Sequence, residues 1–154
     1  MISFLICLVL FLIVLIYLVF ALSYILKCRT RVESVEYILK KSLIREANFI
    51  LGFSEEETGN KKEKLVMISS ALRNSENLKE CLIAHSSLSI FMTSLSLNPG
   101  SFVEYDMLKK EIATKVEEYN NSIDVFNAKV FNPSVRLLSK MCKVKKIEHI
   151  EVPV

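Results

Sequence analysis

The side chains that could do chemistry are few in this chain, and the closest pair of them is Cys81 and His85. They stand four residues apart in one helical pattern, a spacing that presents two metal ligands on one face of a helix. A zinc site needs three or four ligands, and the others would have to come from Cys142 and His149, which no pattern brings to the pair. We therefore expect an ordinary packed pair at Cys81 and His85, and no metal.

Other catalytic patterns also lack their residues. The chain has two histidines, no Glu-x-x-His such as di-iron bundles carry on two helices, and no Gly-x-Ser-x-Gly nucleophile motif. Its three glycines, Gly52, Gly59 and Gly100, are spread along the chain and form no phosphate-binding loop. The sequence thus predicts a protein that is not an enzyme and binds no cofactor.

A second group of polar residues lies on or beside apolar stripes of predicted helices: Asn48, Tyr119, Asn120 and Asn127. Polar side chains at such positions fix the register of packed helices when they are hydrogen-bonded. We expect a structural clamp between the first and third soluble helices, with a partner or ligand site as the alternative. The aromatic side chains of this region, including Tyr119 and Phe126, are expected in the core.

The element that must position all of these residues is an apolar segment at residues 1–26, which contains no charged side chain. A bilayer core about 30 Å thick is spanned by roughly 20 apolar residues in a helix, the one conformation in which a single segment satisfies its own backbone in lipid. A cleavable signal peptide would have a basic start, a shorter apolar core and a small-residue cleavage site. We therefore expect a retained transmembrane anchor.

Positive charge follows this segment directly, at Lys27, Arg29 and Arg31. Residues 27–48 carry a formal charge of +3, and residues 49–154 carry zero. By the positive-inside rule these residues set the topology, with the N-terminus outside and the C-terminal part in the cytoplasm. The same charges favour an anionic bilayer surface, whereas a nucleic-acid partner would want a basic face over a whole domain.

Beyond the anchor, apolar residues recur at spacings of three and four, which predicts an all-α domain. The spacing indicates three long helices over 31–53, 61–95 and 102–131. The first can be continuous with the anchor, because no turn residue separates them. The second can be kinked or broken near Asn74–Asn77. Asn132 and Pro133 predict the N-terminus of a short fourth helix, followed by a basic and then extended tail. We predict that Glu46 lies among the polar residues around the apolar stripe of the first helix. His85 falls on the apolar stripe of the second helix, where a polar residue weakens the pattern.

Three long helices with short loops make an antiparallel bundle. In that arrangement the loop at 98–101 should lie near the bilayer, and the loop at 55–57 and the short helix should lie at the far end. We expect three parts: the anchor at 1–26, the bundle at 27–142 and the tail at 143–154.

Short motifs in the third and fourth segments resemble the LemA family. The family has a Tyr-Asn pair, a second aromatic-Asn pair a turn or two later, and a Phe-Pro-Ser sequence at the start of the last helix. The corresponding residues here are Tyr119-Asn120, Phe126-Asn127 and Phe131-Asn132-Pro133-Ser134. The last motif has one additional residue, Asn132, between Phe131 and Pro133. In the first soluble helix, Leu39-Lys40-Lys41 and Ala47-Asn48-Phe49-Ile50 resemble the family's basic and Pro-Asn-Leu-Val motifs, with Ala in place of Pro.

The resemblance implies a bacterial-type, single-pass protein of the cell (inner) membrane with a cytoplasmic antiparallel bundle, and it implies no reaction. It makes Asn48, Tyr119, Asn120, Phe126, Asn127, Phe131 and Pro133 the candidate structural or partner-contact residues. We expect a tether or scaffold that holds an unknown protein partner at the lipid bilayer. The alternative is a structural coiled-coil subunit that assembles into homo-oligomers.

Overall fold

The computed structural model describes residues 2–54, 58–75, 77–93 and 99–151, and the regular structure in these ranges is entirely helical. The all-α class with a long apolar N-terminal helix and packed helices behind it is confirmed. The helices are α1 (Ile2–Ser54), α2 (Asn60–Asn74), α3 (Leu78–Thr93), α4 (Pro99–Val130) and α5 (Pro133–Met141).

The chain forms two compact units. Unit 1 comprises Met1–Glu33 and Asn121–Glu148, and unit 2 comprises Ser34–Asn120 and His149–Val154. Helices α1 and α4 each contribute one part to each unit. Unit 1 therefore holds the apolar segment, the end of α4, α5 and the first half of the tail, and unit 2 holds the other helical parts and the second half of the tail.

Helix α1 runs without interruption from Ile2 to Ser54, as the sequence suggested when it placed no turn after the apolar segment. Its first part is long and apolar enough to cross a membrane, and its apolar side chains there are mostly exposed, such as Phe4 at 75% and Phe20 at 72%. Its last part is a core helix, with Leu39, Leu43 and Ile50 fully buried. One continuous helix thus has an apolar exposed part in unit 1 and a packed part in unit 2.

The second predicted helix is two helices. α2 ends at Asn74 and α3 begins at Leu78, and the two pack against each other as a hairpin. The turn is stabilised locally, because Asn77 Oδ1 accepts from the Lys79 N–H at 3.0 Å and caps α3, and Ser75 Oγ donates to Glu80 at 2.5 Å. The expectation of one helix over 61–95 is wrong, and the suspected break is a reversal of the chain.

Unit 2 is therefore a bundle of four helical segments, namely the later part of α1, α2, α3 and the first part of α4. Arg45 and Ser42 of α1 contact the Glu111 carboxylate at 3.0 Å each, and Phe49 stacks on Tyr105 with ring centroids 6.4 Å apart. Residue numbers in these contacts increase along α1 while they decrease along α4, so the two helices run in opposite directions. The start of α4 lies beside the C-terminal end of α1.

This reversal corrects the predicted positions of the loops. The described part of the 98–101 loop, from Pro99 onward, begins α4, whose Tyr105 contacts Phe49 near the C-terminal end of α1. Asn98 and the loop at 55–57 lie outside the described residues. In unit 1 the Tyr17 hydroxyl, inside the apolar segment, donates to the Ser134 carbonyl oxygen at the start of α5. Within unit 1 the short helix therefore lies by the apolar segment, and its predicted place at the far end of the bundle is wrong.

The start of α5 confirms its sequence signal. Asn132 is the N-cap, its side-chain oxygen accepts from the Ser134 N–H at 3.3 Å, and Pro133 occupies the first helical position. Ser139 then donates to the Val130 carbonyl oxygen at 2.7 Å, and Leu138 is buried. The helix is thereby fixed to the end of α4.

Candidate functional site

The C-terminal tail is held by an asparagine of α4 within unit 1. The Asn127 side-chain amide donates from Nδ2 to the Ile147 carbonyl oxygen at 2.8 Å, and its Oδ1 accepts from the Ile147 N–H at 3.2 Å. One amide thus satisfies both backbone groups of one extended residue, as a neighbouring strand would do.

Asn120 makes the same pair of hydrogen bonds within unit 2. Its Nδ2 donates to the Ile150 carbonyl oxygen at 2.8 Å, and its Oδ1 accepts from the Ile150 N–H at 3.0 Å, while the Ile150 side chain is buried. We call each of these pairs an asparagine clamp. A clamp of this kind binds extended backbone and is indifferent to the side chains of the segment it holds.

The clamps revise the expected role of the polar residues. Asn120 and Asn127 hold the tail against α4, in place of the predicted clamp between the first and third soluble helices. Asn48 is exposed, and its neighbour Phe49 stacks on Tyr105. No pattern in the sequence indicates the tail as the partner of these asparagines, because an extended segment has no helical period.

Two of the three aromatic members of the motif set lie in the core, as expected. Tyr119 and Phe126 are 7% and 2% exposed and belong to the core, and burial raises the pKa of the Tyr119 hydroxyl, with a smaller contribution from Glu36. Phe131 lies under the Lys146 ammonium, 5.8 Å from the ring centroid in unit 1. Pro133 begins α5.

The most buried titratable pair was missed by sequence reasoning. Glu46 of α1 is fully buried and faces His85 of α3, whose Nδ1 lies 2.7 and 2.9 Å from the two carboxylate oxygens. An ionised carboxylate only accepts hydrogen bonds, so Nδ1 is the donor. Assigning Glu46 to the polar surroundings was wrong. Its spacing, three residues after Leu43 and four before Ile50, was the available signal, since it is a stripe position.

A histidine oriented by a carboxylate is also the arrangement of a catalytic base. Here the His85 and Glu46 side chains are 4% and 0% exposed, so both are buried away from solvent in this structure. Tyr105 lies nearby, its hydroxyl buried and without a hydrogen-bond partner among the described residues, and burial raises its pKa, with Glu46 adding to the rise. The group is best explained as an internal polar contact that sets the register of α1 and α3.

Cys81 packs against the α2–α3 turn. The Cys81 thiol lies 3.5 Å from the Ser75 carbonyl oxygen, and Cys81 is 2% exposed. His85 is hydrogen-bonded to Glu46, so Cys81 and His85 have different partners. In the ranges 2–54, 58–75, 77–93 and 99–151 no three potential metal-ligating side chains come together.

Burial also sets the reactivity of this thiol. Desolvation raises the pKa of Cys81, so at a given pH less of it is thiolate, the reactive form. Cys142 is exposed. We expect Cys142 to be alkylated by iodoacetamide at pH 8 at least tenfold faster than Cys81 in the native protein, as followed by peptide mass mapping. Full denaturation is the control that should bring the two rates together; equal rates in the native protein would contradict the buried placement.

The residues predicted to set the topology belong to a strongly basic unit. Unit 1 contains nine Lys and Arg and three Asp and Glu, a formal charge of +6, and unit 2 has a formal charge of −3. Lys27, Arg29 and Arg31 are exposed, and Arg29 pairs with Glu33 at 2.9 Å. The structure adds to them the basic residues of α5 and the tail, which the sequence had placed far away: Arg136, Lys140, Lys143, Lys145 and Lys146.

Unit 2 has an open groove between α1 and α2. It has a volume of about 460 Å³ and includes the side chains of Ile44, Leu51 and Val66, with Ser69, Arg73 and Asn74 at its polar side. Ile44 and Val66 are 40% and 42% exposed. An apolar groove with a polar border is typical of a surface that binds a partner segment.

Comparisons of the chain with protein-family models, with curated proteins and with solved structures find no match.

Proposed function

We propose that this chain is a single-pass membrane protein whose helical bundle holds protein partners at the membrane, without catalysis. The observation that carries the proposal is α1, one uninterrupted helix with an exposed apolar half and a packed half. An anchor that is covalently continuous with the bundle keeps the bundle at the bilayer and so raises the local concentration of anything it binds. The motifs around Asn120 and Asn127 favour a LemA-like protein of this kind.

The charge distribution supports one orientation. Nine basic side chains lie in the unit that carries the apolar segment, and the first of them follow that segment directly. Under the positive-inside rule this side is cytoplasmic, with the N-terminus outside a bacterial inner membrane. The groove between α1 and α2 is then available to a cytoplasmic partner.

A self-assembling membrane subunit is the second candidate, favoured by further exposed apolar side chains of unit 2, such as Met67 at 73% and Ile90 at 66%. Sedimentation of the detergent-solubilised protein separates the two. A tether should sediment as a monomer over a wide concentration range, and a structural subunit as a stable oligomer without partners. Ile44→Asp and Val66→Asp each add a charge to the groove, and neither should change the sedimentation of a monomer. If the wild type is a stable oligomer and these variants dissociate it, the tether hypothesis is contradicted.

A further inference from the structure

Unit 1 contains a cleft directly after the apolar segment. It has a volume of about 310 Å³, within the range of small-ligand sites. Two helices form it with the same spacing of three, four and seven residues, which is one face of a helix in each case. The lining residues are Tyr24, Lys27, Cys28 and Arg31 of α1, and Ser122, Val125, Phe126 and Lys129 of α4.

The chemistry of the lining favours an anion with an apolar attachment. Lys27, Arg31 and Lys129 supply three cationic side chains, Tyr24 and Ser122 supply hydroxyls, and no acidic residue lines the cleft in the part of the chain that the structure describes. Val125 and Phe126 provide an apolar floor. Ammonium and guanidinium groups are the usual ligands of phosphate.

The position of the cleft selects the source of that phosphate. Lys27 is the first charged residue after the apolar segment, so the cleft lies on the headgroup side of the hydrocarbon core when the segment spans a bilayer. Helix α5, in the same unit, exposes Leu137 and Met141 at 75% and 71%, one turn apart and next to basic residues. Apolar and basic faces side by side are typical of a helix that lies in the membrane interface.

We propose that this cleft binds the phosphate headgroup of an anionic phospholipid. The inference rests on the proposed membrane anchoring, and it adds a specific site in which Lys129, over a hundred residues after the anchor, contributes to lipid binding. Basic pockets beside transmembrane helices bind anionic headgroups in this way.

The test uses the full chain, purified in a neutral detergent and titrated with phosphatidylglycerol or phosphatidylcholine, with bound lipid counted by native mass spectrometry. Lys129→Gln should weaken phosphatidylglycerol binding by about fivefold, the contribution of one cation near the surface, and Lys129→Arg should retain it. Lys110→Gln removes the same charge from α4 at its exposed pair with Asp106, and should have no effect.

Equal binding by Lys129→Gln and the wild type, equal binding of the two lipids, or displacement of the lipid by inorganic phosphate at equal concentration would each overturn the headgroup site. Alkaline carbonate extraction of membranes tests the anchoring separately. A wild-type protein that is released by carbonate overturns the anchoring, whereas a retained protein with an unaffected Lys129→Gln variant overturns the cleft alone.

Discussion

Replacing His85 with leucine is expected to lower the free energy of unfolding of the bundle by about 3–5 kcal/mol. The Glu46 carboxylate is fully buried, and His85 Nδ1 is within 2.9 Å of both its oxygens. Without that donor the carboxylate stays desolvated and unpaired, which is the costly case for a buried charged group. Urea unfolding of the full chain in mild detergent, followed by circular dichroism, measures the loss.

Two variants make this result specific to the pair. The double variant Glu46→Leu with His85→Leu removes both polar groups and should be more stable than His85→Leu alone, since apolar side chains of similar size replace such pairs at little cost. Lys115→Ala breaks the surface pair with Glu118 and should cost less than about 1 kcal/mol. A single variant as stable as the double one would show that Glu46 and His85 do not depend on each other.

The second large effect is expected at the tail. Asn127→Leu keeps the approximate size of the side chain and removes both hydrogen bonds to Ile147. At about 0.5–1.5 kcal/mol for each bond, the Ile147 amide should exchange with solvent roughly ten- to hundredfold faster. Hydrogen exchange of the full chain, read by mass spectrometry of the C-terminal peptide, measures this change.

The matched control is Asn121→Leu, which replaces an exposed asparagine on the same helix. It should leave exchange in the tail unchanged. Asn120→Leu tests the other clamp by the same readout at Ile150. If Ile147 keeps its protection in Asn127→Leu, the asparagine does not hold the tail.

The sequence was sufficient to predict helices whose apolar stripes pack. In the predicted third helix, six apolar or aromatic residues recur at spacings of three and four, and all of them are buried in α4: Ile112, Val116, Tyr119, Ile123, Phe126 and Val130. Asn132 and Pro133 set the start of α5, because capping is a local property of a few residues. Such features can be predicted because they depend only on the periodic spacing of apolar residues or on the chemistry of neighbouring residues.

Contacts between segments that are distant in the sequence could not be predicted from local patterns of residues. The helical period continues through Asn74–Asn77, so the sequence alone did not distinguish a kink from the reversal between α2 and α3. That reversal decides which helix ends meet, and the loop and α5 were misplaced with it. Glu46 and His85 are 39 positions apart and on different helices, and neither shows its partner in its own pattern.

The most direct test of the proposed anchored tether is the accessibility of Cys142 to a membrane-impermeant thiol reagent in intact cells. Cys142 is exposed in the folded protein, and a Cys142→Ser variant identifies its signal against Cys7, Cys28 and Cys81. We expect Cys142 to be protected in intact cells and labelled after lysis, which places the bundle in the cytoplasm. Labelling of Cys142 in intact cells would contradict that orientation and assign the partners of the bundle to the outer side of the membrane.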